Sequence, residues 1–373
     1  MASGDWQYMA ARMTGDGYFD ILETELPITI DSIDRSLSAP SSMGGVITNE
    51  VERLKIGGRL LLEPWNTVII AVASGYIRGM TIYRRPTFNG PTWALDQIGL
   101  SGYPLKQIYD GEKVYIDTDP LDIVREVWNH LQSQPGGNLG VTIDQLASPI
   151  RVGKPAEQVE FTTGAGENVS FEAGPRKLNW WQTTDCMKVV NDYSKETPFD
   201  WREDLSWNGD QPHCHIAMGY PTIGGRRTDL NGFILGQNLS TEPAAAGGEY
   251  ANQLHVLGAG EGRDRVRGFA RRTDGRIRRA EAIEDDSLES IRAANVAAET
   301  GLAVRRGELT VDNITVYDHP NAPLEAIELG NSYKLFAVTE HFEVDTYVRV
   351  VARSDAPGQS DHATLTVVRE ELR

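Results

Sequence analysis

Cysteine is nearly missing from this chain of 373 residues: only Cys186 and Cys214 occur. That excludes a disulfide framework and a zinc site built from a cluster of cysteines. Long apolar runs are missing too. The longest, Val68–Ala73, is far short of the roughly 20 residues a membrane helix needs. Met1–Asp16 has no basic region followed by an apolar one, so no secretory leader is expected and the chain reads as a soluble protein made in a cytosol. Neither a Gly-x-Ser-x-Gly elbow nor a His-Glu-x-x-His pair is present, which removes the usual signatures of serine hydrolases and zinc peptidases. No catalytic residue, metal or cofactor is expected. Positive charge is scarce overall, with a formal net charge of −17. A whole-molecule nucleic-acid binder needs the opposite sign.

What is there is a local reversal of that charge. Between Arg263 and Arg279 eight arginines stand against two aspartates. They follow a strand-like stretch, Tyr250–Leu257, and the glycine run Gly258-Ala-Gly-Glu-Gly262. A phosphate-cradling loop opens directly into a helix, so that the first amides face the anion. Here the glycines lead into Arg263, Arg265 and Arg267, spaced as on one strand face. The segment therefore reads as a β-hairpin or bulge with a basic side. Charge runs usually meet solvent or an oppositely charged neighbour. Arg263, Arg265, Arg267, Arg271 and Arg272 are accordingly candidate subunit-interface residues.

The rest of the pattern predicts an α+β chain, mostly β, with two small antiparallel β-barrel modules flanking a mixed α/β middle module. Short β-prone runs from Tyr18 to Ile116 are broken by Gly, Pro and Asn, giving a first β module over 1–117. Asp119 as cap and Pro120 at the first helical position start a helix whose apolar face is Ile123, Val124, Val127, Trp128 and Leu131. A second helix is expected at 184–194 with Cys186 on its core face. A third is expected at 287–304, with Asp286 and Glu289 as a capping pair. The middle module thus spans 118–198 and 241–305, and β character returns over 306–373.

Residues 199–218 predict a hairpin. With Asn208-Gly209 as its two-residue turn, Asp204 faces His213 and Arg202 faces His215, while Trp201 and Ile216 share an apolar face. His213 and His215 then lie roughly 7 Å apart on the polar face. With Asp204 they would be a metal site only if a third ligand were well placed. Asp200, Glu203 and Asp204 near Trp180, Trp181, Trp201 and Trp207 raise a second possibility, a glycan-binding or glycan-cleaving site, which needs two carboxylates flanking an aromatic platform.

Several segments together resemble a known family. They are Asp119-Pro-Leu-Asp-Ile-Val-Arg-Glu-Val-Trp-Asn-His-Leu-Gln132 with Pro135-Gly-Gly-Asn-Leu-Gly140, then Phe199-Asp-Trp, Gly219-Tyr-Pro, Tyr250-Ala-Asn with Gly258-Ala-Gly-Glu-Gly262, and Asp318-His-Pro-Asn-Ala-Pro-Leu324. In this order they are similar to the minor tail proteins of actinobacterial long-tailed siphophages that form the baseplate hub. The resemblance implies a virion protein at the tail tip, synthesised in the bacterial host cytoplasm and assembled as a homotrimer. Its implied partners are a distal tail protein, a tape-measure protein and other tail-tip proteins. It also implies two similar β-barrels per subunit, the 199–240 hairpin region joining the second, and passage of phage DNA without specific binding.

Overall fold

The computed structural model describes residues 6–155, 157–162, 168–239, 245–247, 249–286, 288, 290–306, 309–340, 343–359 and 361–370. Strand predominates over helix. In chain order the elements that matter are β1 Gln7–Met13, β2 Phe19–Glu23, β3 Thr29–Ser36, β4 Ala39–Thr48, β5 Thr67–Ala73, β6 Tyr76–Ile82 and β7 Thr92–Gly99. Helices α1 Pro120–Ser133 and α2 Cys186–Glu196 follow, then the hairpin β8 Asp200–Asn208 and β9 Gln211–Gly219. After these come β10 Gln253–Leu257, β11 Arg267–Arg271, β12 Ala280–Glu284 and α3 Ile291–Val304. The chain closes with β13 Asn313–Tyr317, β14 Ser332–Val338, β15 Glu343–Asp355 and β16 His362–Arg369.

Strands from both ends of the chain form one 13-stranded sheet. Its main path runs Phe233–Ile234, β14, β15, β3, β4, β7, β6, β5, β1, β2, with β13 and β16 attached through β15 and the short strand Thr87–Asn89 attached to β7. The joint is the antiparallel pairing of β3 with β15, Ala352 opposite Ser36 through Asp355 opposite Ile33. The sequence predicted two separate barrels; among the described residues the strand path does not close into either one. Instead each half encloses its own apolar cluster. Ile33, Met43, Ile47, Ile69 and Leu95 fill one. Ile314, Tyr333, Leu335, Val350 and Leu365 fill the other.

Strand β5 explains the longest apolar run, since all seven of its residues are buried. Ile69 and Ala71 belong to the cluster inside the N-terminal half, while Val68, Ile70 and Val72 belong to a third cluster outside it. Both faces of the strand are covered, so alternation with polar residues disappears. Each buried Val and Ile side chain of the strand contributes about 1.5–3 kcal/mol relative to leaving it exposed.

The third cluster is completed by α1, α2 and the β8–β9 hairpin. Asp119 caps α1 by accepting from the Leu121 amide at 3.0 Å, and Ile123, Val124, Val127, Trp128 and Leu131 are buried, as the sequence predicts. Asp185 caps α2, whose Cys186, Val189, Val190 and Tyr193 are buried. The hairpin expected to join the second β module places Trp201, Cys214, Ile216 and Met218 against these helices. Further along, Phe233 and Leu239 enter the C-terminal cluster, and Leu230 and Leu235 pack against it. Helix α3 packs separately on β10 and β11, around Leu254, Val256, Ala294, Ala298 and Leu302. Its cap is Ser290, which accepts from the Ala293 amide at 3.1 Å, so the helix begins after the Asp286 cap that the sequence suggested; Glu289 lies outside the described residues. No helix among the described residues is long and apolar enough to cross a membrane.

Candidate subunit interface

The glycine-arginine segment folds as a hairpin, but Arg263 lies in a helical turn and Arg265 just after it, so of the three arginines expected on one strand face only Arg267 is on a strand. β10 pairs antiparallel with β11, Leu257 opposite Arg267 and Gln253 opposite Arg271, and β12 runs parallel on the other side of β10. Gly260 and Gly262 in the connection have φ of +111° and +57°, a region glycine enters without steric cost. Only a three-residue helical turn follows them, Gly262–Asp264, so there is no helix N-terminus to hold a phosphate. One face of the sheet lies on α3. Gly268 makes this close approach possible, because a Cβ there would meet the Ala294 carbonyl oxygen at 2.0 Å. On the other face Arg267, Phe269 and Arg271 are exposed, alternating with buried Gly268 and Ala270.

The five candidate arginines do not share one fate. Arg265 pairs with Glu284 at 3.2 Å and Asp286 at 2.5 Å, and donates to the Gly258 carbonyl at 3.0 Å. Arg272 pairs with Asp274 at 3.2 Å and donates to the carbonyls of Ala251, Leu302 and Arg305 at 2.9–3.0 Å, tying the hairpin to the end of α3. These two are structural. Arg267 donates to His255 Nδ1 at 3.0 Å and makes no ion pair among the described residues. Arg263 and Arg271 are exposed and likewise unpaired there. The sequence missed two neighbours that extend this face. His255 stacks against Phe269 at 5.0 Å between ring centroids, and Arg278 donates to Gln253 Oε1 at 2.9 Å.

In the β8–β9 hairpin the predicted face assignment holds but the pairing is displaced by two residues. Asn208 pairs with Gln211, so Gly209-Asp210 is the turn, and Asp204 faces His215 while Arg202 faces Ala217. Gly209 has φ +62°, the requirement of a type II′ reversal at its first central position. His215 Nε2 lies 3.0 Å from Asp144, and Thr142 Oγ1 lies 2.8 Å from His215 and 3.1 Å from His213. Burial, then neighbouring His215, lowers the His213 pKa. No group of three metal-capable side chains forms among the described residues.

Each carboxylate considered for glycan chemistry has an internal partner. Asp200 pairs with buried Arg349 and accepts from the Ile223 amide at 3.2 Å. Glu203 accepts from Ser41 and from the Ser101 amide at 2.7 Å, and its pKa is raised by burial against the pull of those hydrogen bonds. Asp204 is held by Arg202 at 2.8 Å. Trp201 is core, Trp207 packs against that core, and exposed Trp180 and Trp181 meet edge to face at 5.4 Å. Both cysteines are buried, and burial pushes the Cys186 thiol up to about 12 and Cys214 well above its ordinary value. Neither is poised as a thiolate.

No protein-family model and no curated protein matches the sequence. Solved structures do match the fold over almost the entire chain. The 43 kDa tail protein of prophage MuSo2 from Shewanella oneidensis aligns with a TM-score of 0.56 at 12% identity, covering 98% of this chain and 99% of that one. The prophage tail protein gp18 from Listeria monocytogenes EGD-e aligns with a TM-score of 0.53 at 9% identity, covering 98% and 95%. At such identities the likeness is one of architecture, and the chain is similar in fold to phage tail proteins.

Proposed function

We propose that this protein is a structural component of a phage tail, acting as a homotrimeric baseplate hub at the tail tip. In this reading it joins the tail tube and the distal tail ring to host-binding tip proteins and surrounds the path of DNA ejection. The observation that carries the proposal is the end-to-end likeness in fold to two prophage tail proteins. It agrees with the hub-like motifs of the sequence, including the siphophage pattern around Gly258–Gly262. Two β modules per subunit, 1–117 and 306–373, would let three chains offer six similar units to a six-fold tube. A strongly acidic chain suits a conduit for DNA, since like charge discourages adhesion of phosphate.

The reading is non-enzymatic. Its distal tail, tape-measure and tip partners would be met by surface contacts, with no metal or cofactor. Asp200, Glu203 and Asp204 are all engaged in internal contacts, so a glycan-cleaving role loses the residues it rested on. Gold labelling of a tagged copy in assembled particles tests the assignment. Label confined to the tail tip supports it, and label on peripheral spikes or the capsid overturns it.

A further inference from the structure

Two exposed sheet faces of this chain have opposite charge, similar apolar content and no cover among the described residues. The first is the open side of β10–β11. There Phe269, 41% exposed, stands between Arg267 and Arg271 on one strand, with His255 directly opposite it. The two arginine Cα atoms are roughly 13 Å apart by the rise of a strand. Neither guanidinium is paired with a carboxylate among the described residues, in contrast to Arg265 and Arg272 beside them.

The second face is the outer side of β14–β15. Phe336 pairs with Asp345 and Val338 pairs with Glu343 in the antiparallel ladder, and all four side chains are exposed. The apolar pair is 36% and 54% exposed. Leu335 and Ala337, alternating with them, are in the C-terminal core, so register fixes which way the acidic face looks. Asp345 has one partner, Lys334 at 3.2 Å, while Glu343 makes no ion pair among the described residues.

We propose that these faces meet between copies: the Arg267–Phe269–Arg271 face of one subunit docks on the Phe336–Val338–Glu343–Asp345 face of the next. This deepens the trimeric reading and rests on it. The argument is complementarity. An arginine pair around an aromatic ring is matched by a carboxylate pair beside aromatic and aliphatic side chains, so that opposite charges meet around a shared apolar centre. The two faces differ, so the contact is heterologous, the kind that builds a closed ring when the rotation between copies closes, as the trimeric reading requires. An acidic chain with one basic face gains from this arrangement what a self-complementary contact would deny it, because like faces would repel.

The test is analytical ultracentrifugation of the purified full chain across concentration and salt, with far-UV circular dichroism confirming the fold of every variant. Arg267→Glu with Arg271→Glu is expected to weaken association more than about tenfold, and so is Glu343→Arg with Asp345→Arg. The chain carrying all four substitutions is expected to recover association. If the wild type associates and the folded pairs associate equally well, the contact is wrong and the trimeric hub stands. Should the pairs fail and the fourfold variant not recover, the pairing of these two faces is wrong. A wild type that is monomeric at every concentration overturns both the contact and the trimer. Duplex DNA binding that is lost in Arg267→Glu with Arg271→Glu while association is unchanged overturns the contact in favour of a nucleic-acid surface.

Discussion

Arg35 donates to Asp355 at 3.1 Å, linking strands that lie 320 residues apart in the sequence. Arg353 approaches the same carboxylate at 2.6–3.0 Å and also donates to the carbonyls of Leu324 and Ile327. One buried aspartate is therefore the shared counter-ion of two guanidiniums at the seam where the N- and C-terminal strands become one sheet. Asp355→Ala leaves both cations without it and is expected to destabilise the fold by about 3–5 kcal/mol. Urea denaturation measures the loss. A change within experimental error would mean that the seam does not depend on this carboxylate.

Two carboxyl groups give stability opposite dependences on pH. Burial acts to raise the Asp355 pKa, but Arg353 and Arg35 outweigh it and hold it below the ordinary 3.8. Its contribution is present above the ordinary aspartate range and is lost as pH falls through the lower native value. Glu203 has a raised native pKa, chiefly from burial. Its contribution is complete below the ordinary glutamate range and is lost as pH rises through the higher native value. Denaturation curves taken across pH should therefore show Glu203→Gln flattening the rising-pH loss and Asp355→Asn flattening the acid loss. Unchanged slopes in either variant contradict the assignment.

Gly268 is where β11 and α3 come closest, since a Cβ at this position would fall 2.0 Å from a backbone oxygen that cannot swing away. Gly268→Ala should lift the helix from the sheet and cost about 1–3 kcal/mol, the range of overpacking. Hydrogen exchange is expected to rise in 251–302 while β5 stays protected. Equal protection in both regions would contradict the close approach.

Adjacent arginines should behave differently. Arg272→Ala removes a donor to three backbone carbonyls and is expected to destabilise by about 1–3 kcal/mol. Arg271→Ala touches none of these and should stay within about 0.5 kcal/mol of wild type. Thermal melts of the two variants separate the roles. Equal losses would show that the division into structural and free arginines is wrong.

Local features were the legible part of this fold. The Asp119-Pro120 start of α1 and the apolar run of β5 could be read because cap chemistry and burial leave short-range marks. Strand β1, Gln-Tyr-Met-Ala-Ala-Arg-Met, was missed. It has no β-branched residue and is a strand because β2 and β5 pair on its two sides. In the β8–β9 hairpin, alternation fixed the faces, whereas shifting the turn to Gly209-Asp210 displaced every pair by two without changing a face. The joining of β3 to β15 left no local sign at all. The arginine segment was visible, but its division was not, because Glu284 and Asp286 reach Arg265 from about 20 residues further along the chain.

The most direct measurement of the central claim is cryo-electron microscopy of the assembled particle, with density at the tail tip fitted by this chain. The account expects three copies around the tail axis, continuous with the distal tail ring. Finding the chain at another virion position, or at the tip in a copy number that is not a multiple of three, would contradict it.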